Sequence, residues 1–307
     1  MNEKSIGSAA GTPDGPALVL GGGGVLGAFQ AGFLRALFRT GFRPSMIVGT
    51  SAGALNGAFM AFRPDGDGAD ELAGIWKSLR DRQLFFINPI RVAFQIMSGG
   101  LCLASNDLLQ TLVERNIAVD DFAATAVPLY ITTTNLTQAR KQVIHEGSVS
   151  RAVLASAAVP GIFCPIEIDG DLHIDGGVVA NLDVETAIDL GAAEIIAIDL
   201  SHCMDGRRPS NLASLLMQTL DVVQRQRVDH ELVGLATRAR ITLLQPSPNG
   251  GFGLGDLANV DRLLEEGERM GESALALCIG ADGRMKPGVI HDPLHLHEWP
   301  GVVPSSP

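Results

Sequence analysis

An α/β fold, with a parallel sheet covered by helices, is what the sequence predicts. A strand–turn–helix unit occurs twice in the first sixty residues. The first runs from an apolar segment at 16–20 through four consecutive glycines into a helix-periodic stretch at 26–40. The second runs from an apolar segment at 45–48 through Gly49-Thr50-Ser51-Ala52-Gly53 into a small-residue helix reaching about residue 61. Such alternation indicates parallel strands joined by helical crossovers. The chain of 307 residues is 46% apolar, with mean hydropathy +0.22, which is ample for one sizeable core.

In the first helix Phe29, Phe33, Leu34, Leu37 and Phe38 recur at helical spacing, and Gly41 is a natural stop. Helices are predicted at 69–80 and at 105–116, the latter with Ser105 or Asn106 as cap, and strands at 127–134 and 140–145. A Gly/Ala-rich section at 155–161 precedes a short strand at 171–174 that runs into Asp175-Gly176-Gly177. A helix over 183–190 ends at Gly191, and a buried strand follows at 194–199. Helices at 210–236 and 256–278 flank a strand at 239–244. No repeat or linker divides the chain. Residues 1–15 are expected to be a disordered tail, 16–280 one catalytic domain, and 281–307 an irregular, Pro-rich C-terminal tail.

The polar N-terminus lacks the apolar core of a secretory signal. The longest apolar stretch, 84–104, is interrupted by Asn88, Pro89, Arg91, Gln95 and two glycines, which argues against a membrane span. It reads equally as a lid or acyl-binding flap and as core helix packing. A cytoplasmic protein is the expectation, with transient contact at a membrane surface left open. The net charge of −11 argues against nucleic acid as a partner, because neutralising phosphates needs a basic face. Cys102, Cys164, Cys203 and Cys278 show no metal-like spacing and read as buried, reduced thiols. Neither a metal nor a cofactor is expected.

Gly22-Gly23-Gly24-Val25-Leu26-Gly27 satisfies the glycine pattern of dinucleotide-binding loops. That chemistry needs an acidic residue about 20 positions on, at the end of the second strand, to hold the ribose. The second strand here ends in Ser51 and the next acid is Asp65, beyond the following helix, so the nucleotide reading fails. The loop can instead present backbone N–H groups of Gly22, Gly23, Gly24 and Val25 to a developing oxyanion at a helix N-terminus. A plain turn would not need four glycines.

Ser51 follows an apolar strand and precedes small residues, the setting of a nucleophile elbow. Its base could be a histidine, and His291, His295 and His297 lie near the C-terminus. The serine, however, follows only two strands, and those histidines sit in the Pro-rich tail. His145, His173, His202 and His230 read as ordinary histidines, with His173 the hardest to dismiss because it lies two residues from Asp175.

Together these residues resemble the patatin-like phospholipase family, from about residue 17 to about 277. Four blocks carry the likeness: the glycine loop with Gly27 and Gly32; Gly49-Thr50-Ser51-Ala52-Gly53; Ala155-Ser156-Ala157-Ala158-Val159-Pro160-Gly161; and Asp175-Gly176-Gly177. The resemblance implies a three-layer α/β/α sandwich with a mainly parallel central sheet. It also implies a Ser51–Asp175 dyad without histidine, with Gly27, Gly49, Gly53, Gly176 and Gly177 supporting the turns. The implied activity is hydrolysis of acyl-lipid esters, of phospholipase A or lysophospholipase type, through an acyl-serine. An acyltransferase using the same acyl-serine, and a non-catalytic lipid- or partner-binding domain, remain open beside it. Many members carry Arg or Lys where this chain has Leu26, which bears on phospholipid preference.

Overall fold

The structure, a computed structural model, describes residues 15–80, 101–117, 119–201, 208–209, 212–246, 257–280, 284–292 and 295–299. Residues 84–100 of the segment 84–104 read as a lid or core helix lie outside the described residues, as do 1–14 of the expected N-terminal tail, His202 and Cys203.

The strands are β1 (Ala17–Leu20), β2 (Ile47–Thr50), β3 (Leu129–Asn135), β4 (Arg140–Ile144), β5 (Ile166–Ile168), β6 (Asp171–Asp175), β7 (Glu194–Ile198), β8 (Arg240–Leu244), β9 (Gly288–Asp292) and β10 (His295–His297). The helices are α1 (Gly27–Arg39), α2 (Ala52–Phe62), α3 (Gly66–Leu79), α4 (Asp107–Asn116), α5 (Val149–Ser156), α6 (Gly177–Ala180), α7 (Val184–Asp189), α8 (Leu212–Leu235) and α9 (Val260–Cys278). One sheet runs in the order β10-β9-β8-β7-β1-β2-β3-β6-β5, with β4 paired to β3. The five strands β8, β7, β1, β2 and β3 run parallel to one another, and β9 joins β8 in the same sense. Antiparallel pairs lie at the two ends of the sheet.

The central strands are apolar on both faces because both faces are covered. Leu18, Leu20, Ile47, Ile196 and Ile198 pack toward α1, α2, α3 and α9. Their alternates Ala17, Val19, Val48, Ile195 and Ala197 pack toward α7 and α8 through Val184, Ala187, Val228 and Leu232. The fold is a mostly parallel sheet flanked by helices. Helices α1 and α9 cross with their backbones nearly in contact. A Cβ on Gly32 would lie 2.1 Å from the carbonyl oxygen of Leu264, and one on Gly267 would lie 2.0 Å from that of Phe29. No helix among the described residues is long and apolar enough to cross a membrane.

Two expectations need correction. Residues 281–307 are not irregular throughout: β9 and β10 extend the sheet, and Trp299 is buried, its indole N–H donating to the carbonyl of Ile241 at 2.9 Å. The segment is short, and its strand character comes from the open edge of β8 that it completes. The cysteines are not all free. Cys102 and Cys164 are joined in a disulfide with 4.8 Å between Cα atoms, while Cys278 is free and buried. The pair is 62 residues apart in sequence and meets because Leu103 and Ala104 donate backbone hydrogen bonds to Ile162.

Candidate active site

Ser51 sits at the junction of β2 and α2, with φ 54° and ψ −120°. A positive φ is rare for a residue with a side chain and lifts the hydroxyl off the end of the strand. Small neighbours make the turn possible: a Cβ on Gly53 would stand 2.1 Å from the carbonyl oxygen of Leu20. The strained residue is held by Ser156, which ends α5. Its Oγ accepts the Ser51 N–H at 2.8 Å and donates to the carbonyl of Thr132 at 2.7 Å.

Asp175 reaches Ser51 through sheet register. Residues Ile131 and Thr132 of β3 pair with β2 on one edge and β4 on the other. Beyond them Thr133, Thr134 and Asn135 pair with β4 and with β6, so β6 continues along the edge where β2 ends. Thr50 is opposite Thr132 and Asp175 is opposite Thr133. The last residue of β6 thus arrives at the first residue after β2.

The Ser51 hydroxyl donates to Asp175 Oδ2 at 2.6 Å. The other carboxyl oxygen accepts the N–H of Gly177 at 2.7 Å, which fixes its orientation. Both side chains are buried, Ser51 being 8% exposed and Asp175 5%. Burial pushes the Asp175 carboxyl up to about 6, against the opposing hydrogen bonds from Ser51 and Gly177. A carboxylate at that value is a far better match to a base working near neutrality than one at its ordinary value.

The glycine loop lies across Ser51. Gly23, Gly24 and Val25 line a cleft with Ser51, Ala52 and Asp175. Gly24 to Leu26 form a single 3-10 turn that leads into α1, so the N–H groups of Gly23, Gly24 and Val25 precede the first intrahelical acceptors. Gly22 does not join them. Its N–H donates to the carbonyl of Asn181 at 3.2 Å, which removes it from the expected donor set. Its own place is one of close approach, since a Cβ there would stand 2.9 Å from the Ser51 Cβ. Gly27 lies against the ring of Trp76, whose indole N–H donates to Asn56 Oδ1 at 2.8 Å. Asn56 donates in turn to the carbonyl of Gly27 and to Gln30, both at 2.9 Å. This buried chain fixes the loop relative to α1, α2 and α3.

Ser156 and Asn181 are the residues that sequence reasoning did not single out for roles. Ser156 was visible only as part of the Ala155-to-Gly161 block, and nothing local marked Asn181. His173 is buried on β6, away from the cleft. The Thr133 hydroxyl donates to the carbonyl of Gln142 at 3.0 Å, so it accepts from His173 Nδ1 at 3.0 Å, and Nε2 has no partner among the described residues. Burial holds this imidazole below its ordinary value, hence neutral. His291, His295 and His297 lie on β9 and β10 at the far edge of the sheet, and no histidine among the described residues lines the cleft.

The cleft has a cavity volume of about 90 Å³. One wall is apolar, built by Leu55, Trp76, Leu79, Leu109, Leu112 and Leu257, all part of the core on the α1 face of the sheet. Asn181 and, from α8, Leu220, Asp221 and Gln224 also line the cleft.

A family model described as Patatin-like phospholipase matches residues 18–188. The chain is 30% identical over 187 residues to Neuropathy target esterase sws of Drosophila melanogaster, covering 60% of this chain and 13% of that protein. It is 33% identical over 186 residues to Patatin-like phospholipase domain-containing protein 7 of Mus musculus, again 60% of this chain and 13% of the relative. To Lysophospholipase NTE1 of Mycosarcoma maydis it is 28% identical over 196 residues, 61% of this chain and 10% of that protein. The match thus spans little more than a tenth of the length of these relatives.

Proposed function

This chain belongs to the patatin-like phospholipase family, and from that premise and the cleft around Ser51 we propose that it hydrolyses acyl-lipid esters through a Ser51–Asp175 dyad. The observation that carries the reading is the 2.6 Å hydrogen bond from the Ser51 hydroxyl to a buried carboxylate whose second oxygen is tied to backbone.

The steps follow from the geometry. Asp175 takes the Ser51 proton as Oγ attacks the ester carbon, and the carbonyl oxygen becomes an oxyanion facing the loop. The N–H groups of Gly23, Gly24 and Val25 stabilise it, each donor of this kind contributing roughly 2.7–4 kcal/mol in the transition state. The protonated Asp175 then gives its proton to the leaving alcohol, and the acyl group stays on Ser51. A water enters from the side vacated by the alcohol, loses a proton to Asp175 and attacks the acyl carbon. Collapse of the second oxyanion releases the fatty acid and returns the proton to Ser51. The apolar wall receives the acyl chain, and its names among relatives, esterase, phospholipase and lysophospholipase, fit such a substrate.

A fluorophosphonate probe tests the reading, together with steady-state hydrolysis of a short acyl ester. Wild type is expected to label on Ser51 and turn over the ester, and Ser51→Ala to do neither. A Ser51→Ala protein that labels and hydrolyses normally would end it.

A further inference from the structure

Asn181 stands where the glycine loop meets the turn that carries Asp175, and the dyad leaves one of its atoms unused. Its backbone carbonyl accepts the Gly22 N–H at 3.2 Å, and its Nδ2 donates to the Gly22 carbonyl at 3.3 Å. The second bond fixes which end of the amide is which: Nδ2 is spent on the loop, and Oδ1 is left over. A Cβ on Gly22 would stand 2.6 Å from Asn181 Oδ1 and 2.9 Å from the Ser51 Cβ, so the oxygen and the nucleophile's side chain flank the same glycine. A Cβ on Gly177 would stand 2.9 Å from that oxygen and 3.0 Å from Asp175 Oδ1. Oδ1 is therefore close to both members of the dyad. It accepts no hydrogen bond among the described residues and is not among their shielded, unpaired atoms, and Asn181 lines the cleft.

An amide oxygen open to a narrow cleft is paired by water or by a reactant. The second half of the hydrolysis brings a reactant with a proton to spare. The attacking water has two O–H bonds, and Asp175 takes the proton of only one. A second acceptor beside Asp175 would fix the remaining O–H and with it the direction of the attacking lone pair, and such orientation is worth a large part of a barrier.

Resting on the hydrolase reading above, we propose that Asn181 is a catalytic residue of deacylation: its Oδ1 accepts a hydrogen bond from the attacking water. In that step the water oxygen bonds to the acyl carbon of the acyl-serine. One of its protons passes to Asp175, and the other stays on the oxygen, hydrogen-bonded to Asn181. Collapse breaks the bond between the acyl carbon and Ser51 Oγ, the proton on Asp175 returns to Oγ, and the carboxylic acid leaves. An alcohol has a single O–H and spends it on Asp175. Transfer of the acyl group to methanol therefore gains nothing from Asn181, and the residue favours hydrolysis over acyl transfer.

The test measures how the acyl-enzyme partitions between water and methanol. Wild type, Asn181→Leu and Asn181→Asp are given p-nitrophenyl butyrate at one fixed methanol concentration. Butyric acid and methyl butyrate are then quantified, with the Ser51→Ala background subtracted. The ratio of two products of one intermediate depends neither on the amount of folded protein nor on the rate of acylation. Asn181→Leu keeps the volume of Asn without its oxygen and should raise the ratio of methyl ester to acid at least about tenfold. A smaller rise overturns the proposal, because damage to the glycine loop slows both nucleophiles alike. Asn181→Asp keeps an acceptor and should stay much nearer wild type; a shift equal to that of Asn181→Leu also overturns the proposal. If Asn181→Leu fails to fold, Asn181→Ala is read in its place against the same expectation. Should wild type form no methyl ester, the p-nitrophenol burst reads the step instead. Asn181→Leu must then slow the steady phase at least about tenfold more than the burst, and equal slowing counts against the proposal. Failure of wild type to label with the fluorophosphonate would instead sink the hydrolase reading.

Discussion

Replacing Asp175 by Asn should abolish the proposed ester hydrolysis and stabilise the fold, and the second effect should depend on pH in a defined direction. Asp175 is raised in the native state from 3.8 to about 6. A group whose folded value is raised contributes stability that is fully present below its unfolded value and is lost as pH rises through the folded one. At pH 4 the native carboxyl is protonated and its burial costs little. By pH 7 it is ionised in both states, and a shift of about 2 units corresponds to about 3 kcal/mol of destabilisation. Asn removes that charge. It also turns one amide N–H toward either Ser51 Oγ or the Gly177 N–H, both of which now donate to the carboxylate, and loses about 1 kcal/mol of hydrogen bonding. The net gain at pH 7 is about 2 kcal/mol, which for a chain of 307 residues raises Tm by about 3 °C. At pH 4 the gain should vanish or reverse. His173 and Asp221 also have shifted values, but they are common to both proteins and cancel in the difference. The assay is thermal unfolding of wild type and Asp175→Asn from pH 4 to 7, beside kcat/KM for a short acyl ester. Wild-type kcat/KM should rise along an acid limb near pH 6, and the variant should fall by about 100-fold or more. A Tm difference that is independent of pH, or an Asn variant less stable at pH 7, would refute the account of Asp175 as a buried, desolvated base.

Ser156→Ala leaves the Ser51 N–H and the Thr132 carbonyl without their shared partner, so stability should fall by about 1–3 kcal/mol by urea unfolding. In the same variant kcat should drop about tenfold with KM little changed, because the Ser51 turn loses its anchor and the substrate walls do not. Gly267→Ala drives a methyl group to 2.0 Å from the Phe29 carbonyl, and prying α1 from α9 should cost about 1–3 kcal/mol or more. Gly74→Ala, in α3 with open space at its Cβ position, should instead raise Tm through a gain of about 0.5–1 kcal/mol.

What the residues determined without help is local. Apolar runs ending in glycine and followed by helical spacing placed β1, α1, β2 and α2 within a few residues. The small residues around Ser51 marked its turn before any contact was known, because a strand-to-helix corner is decided by backbone sterics over five residues. The late strands β7 and β8 were legible because each is mostly apolar, Ile195 to Ile198 in one and Ile241, Leu243 and Leu244 in the other. The disposition of the dyad was not local. Ser51 and Asp175 are 124 residues apart, and they meet because β6 takes up the edge of β3 where β2 stops. Strand pairing is a choice among edges, and no single strand carries it. Three further outcomes followed from long-range partners. The Gly22 N–H was taken by Asn181, which removed one of the four expected oxyanion donors. Cys164 found Cys102 through a bridge between segments whose patterns are unremarkable. The residues from 288 to 297 became strands because β8 offered an open edge. The sequence by itself determined that a serine would stand on a sharp turn beside a glycine loop. Only the tertiary structure decided how Asp175 would reach it and that the Gly22 N–H would be taken by Asn181, because hydrogen-bond partners are assigned by contacts between distant segments.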